Sequence, residues 1–266
     1  MPAIYAHDTF GNRVMELLSG EIRDIIWKYR VQFRIGLQGP DYLFFYEPLS
    51  KNEINQTGYR IHEEPAEKFM SGAFQVIEEK GTDSMEYAYL MGFICHFALD
   101  SECHPFVSEQ MRVTGAGHIH IESEFEKYLM YRDHVDPFRY RIGDIVPTDD
   151  RTAGCIAGFY DGITPVQAKR ALQQMRFFKN ALVAPGKAKR AALHLIMKAS
   201  GSYDSMEGHL LKLKDDMRCR DSNAGLFSRY EKMVPVAAEL IRGVHQTIVD
   251  GAPLCPRFER NFESLE

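Results

Sequence analysis

The chain has 266 residues, 45% of them apolar and 26% charged, with a formal net charge of −5. That length supports one large core, and no Ser/Gly/Pro-rich linker divides it. The acidic balance excludes a general nucleic-acid binder held by a basic surface, so no stable DNA binding is expected; no apolar run reaches the ~20 residues a membrane-spanning helix needs.

Charge is unevenly spread: residues 1–133 carry 12 Lys+Arg against 21 Asp+Glu, and residues 134–266 carry 20 against 16. An acidic half that holds cations and a basic half that attracts an anion suit a phosphorylated substrate. The five cysteines, Cys95, Cys103, Cys155, Cys219 and Cys255, form no CxxC pair and no disulfide framework. The first residues, Met-Pro-Ala-Ile-Tyr-Ala-His, lack the basic and apolar regions of a signal peptide, so a cytoplasmic location is expected.

In chain order, Val14, Leu17, Leu18, Ile22, Ile25, Ile26 and Tyr29 recur at helical intervals and predict helix over 7–35, with a break at Gly20. The run Gly36-Leu-Gln-Gly39-Pro40-Asp41 forces a turn that delivers Asp41 beside Tyr42, Phe44, Phe45 and Tyr46, at least two of which are expected in the core. Residues 48–62 read as polar and irregular, leaving His62 on a loop or a helix entrance; Glu63-Glu64-Pro65 then opens a helix over 66–80. The next helix, over 83–103, carries an apolar sequence interrupted by His96, Asp100 and His104, which lie four apart and so share one face. A helix over 118–132 repeats that spacing with His118 and Glu122 or, in the other register, His120 and Glu124.

A lone histidine on an apolar face is ordinarily a hydrogen-bonded core residue. Five imidazoles and carboxylates buried together are different, because each costs several kcal/mol without a partner. Two helices with this spacing, joined by a short loop, point to a metal site, and neutral imidazole with carboxylate suits zinc. A buried ionic network is the competing reading.

Further helices are predicted over 148–161, 164–182, 187–200 and 226–250, with His194, His209 and His245 structural or exposed because none has a partner at ligand spacing. No strand alternation persists. The expected architecture is all-α: a single-domain bundle of about eight to ten helices over 1–266, with a metal-ligand half, 1–133, and a helical C-terminal half, 134–266.

Gly39-Pro40-Asp41, His62, His96-xxx-Asp100 continuing to His104-Pro105, and His118-xxx-Glu122 occur in an order that resembles the zinc-dependent phospholipase C family, whose fold the single-strand-specific zinc nucleases share. The resemblance covers residues 1 to about 130 and is specific through order and spacing. It implies an all-α fold that holds two or three zinc ions and hydrolyses a phosphodiester. His62, His96 and Asp100 would hold one zinc, with Asp41 as ligand or general base, and His104, His118 and Glu122 a second. His118 matches the family pattern better than His120. A third zinc would take His7, Asp100 and, after loss of Met1, the amine of Pro2. Tyr42 and Phe44 would wall the pocket of a phosphorylated small molecule or a phospholipid headgroup.

The Asp100-to-His104 gap is shorter than in the secreted members, so these ligands can share one continuous helix. An intracellular nuclease or nucleotidase, and a non-catalytic zinc-stabilised helical binding protein, are the alternatives. An HD-type phosphohydrolase fits less well, since the His7-Asp8 dipeptide precedes every other ligand. The substrate and the oligomeric state stay open at this stage.

Overall fold

The apolar stretch around His96 becomes the axis of the molecule. In the computed structural model, which describes residues 4–263, helix α6 (Met85–Thr114) has every residue from Tyr87 to Ser101 buried. A helix that is apolar on all sides is covered on all sides. It starts where the Ser84 side chain accepts from the Tyr87 N–H and stops at Gly115, which is left-handed with φ 67°. It also runs well past the expected end at 103. Pro105 removes one N–H and so one hydrogen bond, and the packing of α7 (His118–Arg132) and α12 (Arg220–Asp250) on α6 carries the helix through it.

The segment predicted as one helix over 7–35 is three: α1 (Ile4–Glu16), α2 (Gly20–Lys28) and α3 (Arg30–Gly36). Gly20 breaks the first pair with φ 62°, and Tyr29 departs from helical geometry between the second pair. Helix α3 lies directly on α6. A Cβ on Gly36 would come within 2.2 Å of the Tyr89 carbonyl oxygen, and one on Gly92 within 2.2 Å of the Phe33 carbonyl oxygen, so the two backbones touch. That contact presses the following turn, Gly39–Asp41, onto His96.

Residues 48–62 are not irregular, as expected, but contain α4 (Glu53–Glu63), with His62 in its last turn. The signal was a capping box: the Asn52 side chain accepts from the Asn55 N–H at 3.0 Å, and the Asn55 side chain accepts from the Asn52 N–H at 3.1 Å. Then come α5 (Ala66–Lys80), α8 (Asp150–Ala157), α9 (Pro165–Ala181), α10 (Lys187–Ala199) and the single turn α11 (Tyr203–Met206). With no strand among the described residues, the fold is all-α, and its extra breaks make twelve α-helical segments rather than eight to ten.

Two attachments set the walls of the site. The Tyr5 N–H donates to Glu126 Oε1 at 2.6 Å and the Tyr5 hydroxyl to Asp133 Oδ2 at 2.7 Å, fixing α1 on α7. Ser123 donates to the Gly208 carbonyl at 2.8 Å, and Lys127, buried beside Glu124 at 2.7 Å, donates to the Lys212 carbonyl at 3.1 Å. Those bonds lay the chain after α11 along α7 and bring His209 toward the ligand cluster.

Candidate metal centre

Helix α6 contributes His96, Asp100 and His104 in a row along one face, and the other groups converge on it. The turn before Pro40 depends on Gly39, which has φ 48° and whose missing Cβ would lie 2.2 Å from His96 Cδ2. Glycine there meets both demands: the left-handed backbone and the close approach of an imidazole. Asp41 then opens a 3-10 turn, Asp41–Phe45. In such a turn, residues three apart eclipse one another, so Asp41 and Phe44 look into the same space.

The deep part of the cluster contains Asp41, His62, His96, Asp100 and His7. His62 Nε2 stands 3.1 Å from Asp41 Oδ1, His96 Nε2 3.2 Å from Asp100 Oδ2, and His7 Nε2 3.1 Å from Asp100 Oδ1. The two Asp100 oxygens thus face different histidines. The rings of His7 and His96 lie 4.4 Å apart. Asp100 and His96 are wholly buried.

The outer part contains His104, His118 and Glu122. His118 Nε2 is 2.7 Å from Glu122 Oε1, and His104 Nε2 is 3.7 Å from the same oxygen and 3.8 Å from Asp100 Oδ2. Of the two registers open to α7, His118 is therefore the one facing the cluster. His120 turns instead to Asp216 Oδ2 at 3.0 Å. Cys219 adjoins that second group, but Arg218 at 2.7 Å and Lys212 at 3.8 Å already give Asp216 its cations.

The residues fit a metal. His62 Nδ1 is held by the Gly58 carbonyl at 2.8 Å and His96 Nδ1 by the Leu37 carbonyl at 3.2 Å, which puts the proton on Nδ1 and leaves Nε2 as a bare donor atom. The Nε2 atoms of His7, His62, His96 and His104 are buried and make no hydrogen bond. Three sets within reach of one ion follow: Asp41, His62 and His96; His7, His96 and Asp100; and His104, His118 and Glu122. The Pro2 amine, expected to join His7, lies outside the described residues.

Burial and neighbours divide the titrations. Burial pulls His96 down to about 3 against the opposing charge of Asp100, and it lowers His104 as well. At His118 burial also opposes the charge, but Glu122 outweighs it and raises the pKa. Burial alone would raise Asp41, yet the positive charge around it, to which the facing His96 and His62 contribute, holds it below the usual carboxylate range.

A cavity of about 440 Å³ opens onto this cluster, with Asp41, His62, His104 and His118 at its floor and Phe44, Phe45, Leu49, Phe178 and Leu182 among its walls. Tyr42 does not line it, contrary to expectation. It is wholly buried and edge-on to Tyr160. His209, expected to be structural or exposed, lines the cavity with Lys179, Asp204 and Glu263. None of these four stands at ligand spacing in the sequence. Lys179 is buried with its ammonium 5.8 Å from the centre of the Phe45 ring, and Glu263 Oε1 lies 3.4 Å from His104 Nδ1.

All five cysteines are free, and Cys95 and Cys103 are buried as packing residues. Among the described residues no helix is long and apolar enough to cross a membrane. The family model for zinc dependent phospholipase C matches residues 6–172, a span that holds His7, Asp41, His62, His96, Asp100, His104, His118 and Glu122, whereas Lys179, Asp204, His209 and Glu263 lie beyond it. No curated protein and no solved structure matches the chain.

Proposed function

Because the chain belongs to the zinc-dependent phospholipase C family, we propose that it hydrolyses the phosphoester bond of an amphiphile, a phospholipid headgroup ester being the reading that best suits its cavity. One observation carries this: a single cavity is lined both by buried metal-ligand side chains and by aromatic and aliphatic ones. A phosphoryl group seated on the floor leaves its apolar portion against Phe44, Phe45, Phe178 and Leu182.

In this reading Asp41, His62, His96 and Asp100 hold one zinc, His104, His118 and Glu122 a second, and His7 with Asp100 a third. Bound zinc supplies Lewis acidity, which acidifies water and draws charge from the phosphoryl oxygens. Asp41 is ionised at neutral pH and lines the cavity, so its carboxylate accepts a hydrogen bond from the attacking water and orients it. The Lys179 ammonium faces the same space and offsets the negative charge of the phosphoryl group. The carbonyls on His62 and His96 keep both rings from turning.

Turnover of a chromogenic phosphodiester by zinc-loaded protein, with and without chelator, tests the reaction class. Chelator-sensitive release is expected, and turnover that survives metal removal contradicts the proposal. A nuclease on the same fold has one observation in its favour, the Phe44 and Tyr59 rings 4.5 Å apart at the cavity, which offer a stacking surface for a base. Comparing phosphatidylcholine with single-stranded DNA as substrates separates the two, and faster hydrolysis of the lipid is expected.

A further inference from the structure

Between Asp161 and Asp204 the chain has eight Lys and Arg and no Asp or Glu. This stretch includes α10, which packs chiefly against α11 and buries only Met197. Arg190 ties it down by donating to the Leu211 carbonyl at 2.6 Å and the Ala184 carbonyl at 3.3 Å. On the opposite face, Ala188, Ala192, Leu195 and Ala199 recur at three- and four-residue steps with Ile196 beside them, all exposed. Leu195 is 69% exposed and Ile196 61%. Lys187 and Lys198 border this face on one side and Lys189 on the other, all exposed, with the Lys189 ammonium donating to the Val183 carbonyl at 2.6 Å until a headgroup competes for it.

A helix normally turns its aliphatic face inward. Here the aliphatic face looks out and lysines flank it, so that their stems can lie along an apolar layer while their ammonium groups reach a charged boundary. We propose that α10 is an interfacial helix that docks the protein on an anionic lipid surface, with Leu195 and Ile196 inserted among the acyl chains and Lys187, Lys189 and Lys198 at the headgroups. A nucleic acid would use the lysines but not the aliphatic face between them.

The helix is also placed to serve the cavity. Lys179 and Leu182 just before it, and Asp204, Met206 and His209 just after it, all line that cavity, and Leu49 at the same opening is 68% exposed. A surface held by α10 would therefore lie near segments that line the cavity an amphiphile enters. This link to the cavity rests on the proposed function, whereas the docking itself does not.

The test is co-sedimentation of full-length, zinc-loaded protein with vesicles of phosphatidylcholine mixed with phosphatidylserine, and with pure phosphatidylcholine, alongside turnover of a soluble chromogenic phosphodiester. Binding to the mixed vesicles is expected, weakening with salt. Leu195→Asp with Ile196→Asp should weaken it by at least about a hundredfold, and each of Lys187→Gln, Lys189→Gln and Lys198→Gln by about fivefold. Soluble turnover should be unchanged in every variant, since these side chains are exposed and away from the ligands. Vesicle binding that the aspartates leave intact overturns the proposal. So does wild-type protein that turns over soluble substrate but ignores vesicles, whether it binds a single-stranded oligonucleotide instead or sediments as a dimer that Leu195→Asp dissociates. Vesicle binding as described without soluble turnover sustains the docking role and removes the hydrolase reading.

Discussion

The deep and outer parts of the ligand cluster use the same residue types but are held differently. In the deep part, His62 and His96 are each fixed through Nδ1 by a backbone carbonyl, and groups from α1, the Asp41 turn, α4 and α6 interlock around Asp100. In the outer part, His118 is held by Glu122 one turn along its own helix and keeps 29% of its side chain exposed, while His104 Nδ1 faces the half-exposed Glu263 carboxylate. The difference teaches that backbone contacts and burial make a persistent site, and side-chain contacts at a cavity floor make an exchangeable one. On this account the deep part holds its metal more firmly and reaches the substrate only through Asp41 and His62, whereas the outer part sits at the cavity with a more exchangeable metal.

The largest effect should come from Asp100, whose two oxygens face different histidines. Asp100→Asn should release the deep metals and lower turnover at least about a thousandfold, measured as zinc content and as hydrolysis of a soluble phosphodiester. Full metal content with full activity would break the comparison. Gly39→Ala tests the same part through the backbone. Its Cβ meets His96 and its φ is left-handed, so a loss of at least about 2 kcal/mol, seen as a lower melting temperature, is expected together with loss of zinc.

His118→Ala should behave otherwise. One zinc equivalent should go while the deep metal stays, with turnover down about a hundredfold and the melting temperature nearly unchanged. Acidification should sort the two parts in the same order. Zinc takes neutral imidazole, and a histidine is protonated below its pKa. Glu122 raises His118 above its ordinary value, so the outer metal should leave as the pH falls below neutrality. His96, pulled down to about 3, stays neutral far longer and should keep the deep metal. Zinc retained after dialysis at a series of pH values checks this, and loss of all metal in a single step would contradict it. The smallest change expected is at the cavity wall: Phe44→Ala should raise KM about tenfold and leave zinc content alone.

How far the sequence discloses this arrangement depends on how local each contact is. His96, Asp100 and His104 are legible because a single helix fixes their relation, whereas on α7 spacing alone leaves His118 with Glu122 and His120 with Glu124 both open, and tertiary packing decides for the first. The all-α class follows from the same periodicity and from the lack of strand alternation. His62 was legible as a residue but not in its setting, because α4 begins with an Asn52–Asn55 capping pair inside a polar stretch. Tyr42 was misplaced because adjacency to Asp41 in sequence is not adjacency in a 3-10 turn. Lys179 and His209 carry no spacing signal, since α9 and the segment after α11 reach the cavity only through tertiary packing. The basic excess of residues 134–266 is visible as charge, but the outward aliphatic face of α10 emerges only once that helix is seen to bury Met197 alone.

The central claim is that the cluster is a two-part zinc centre that hydrolyses a phosphoester. Its most direct test is a chelator titration of zinc-loaded protein in which zinc content and turnover of a chromogenic phosphodiester are followed together. The account predicts two or three zinc equivalents lost in two phases, with turnover vanishing in the first, as the outer site empties, and the fold persisting until the second. Protein that takes up no zinc when supplied with it, or turnover that outlasts removal of all metal, would contradict it.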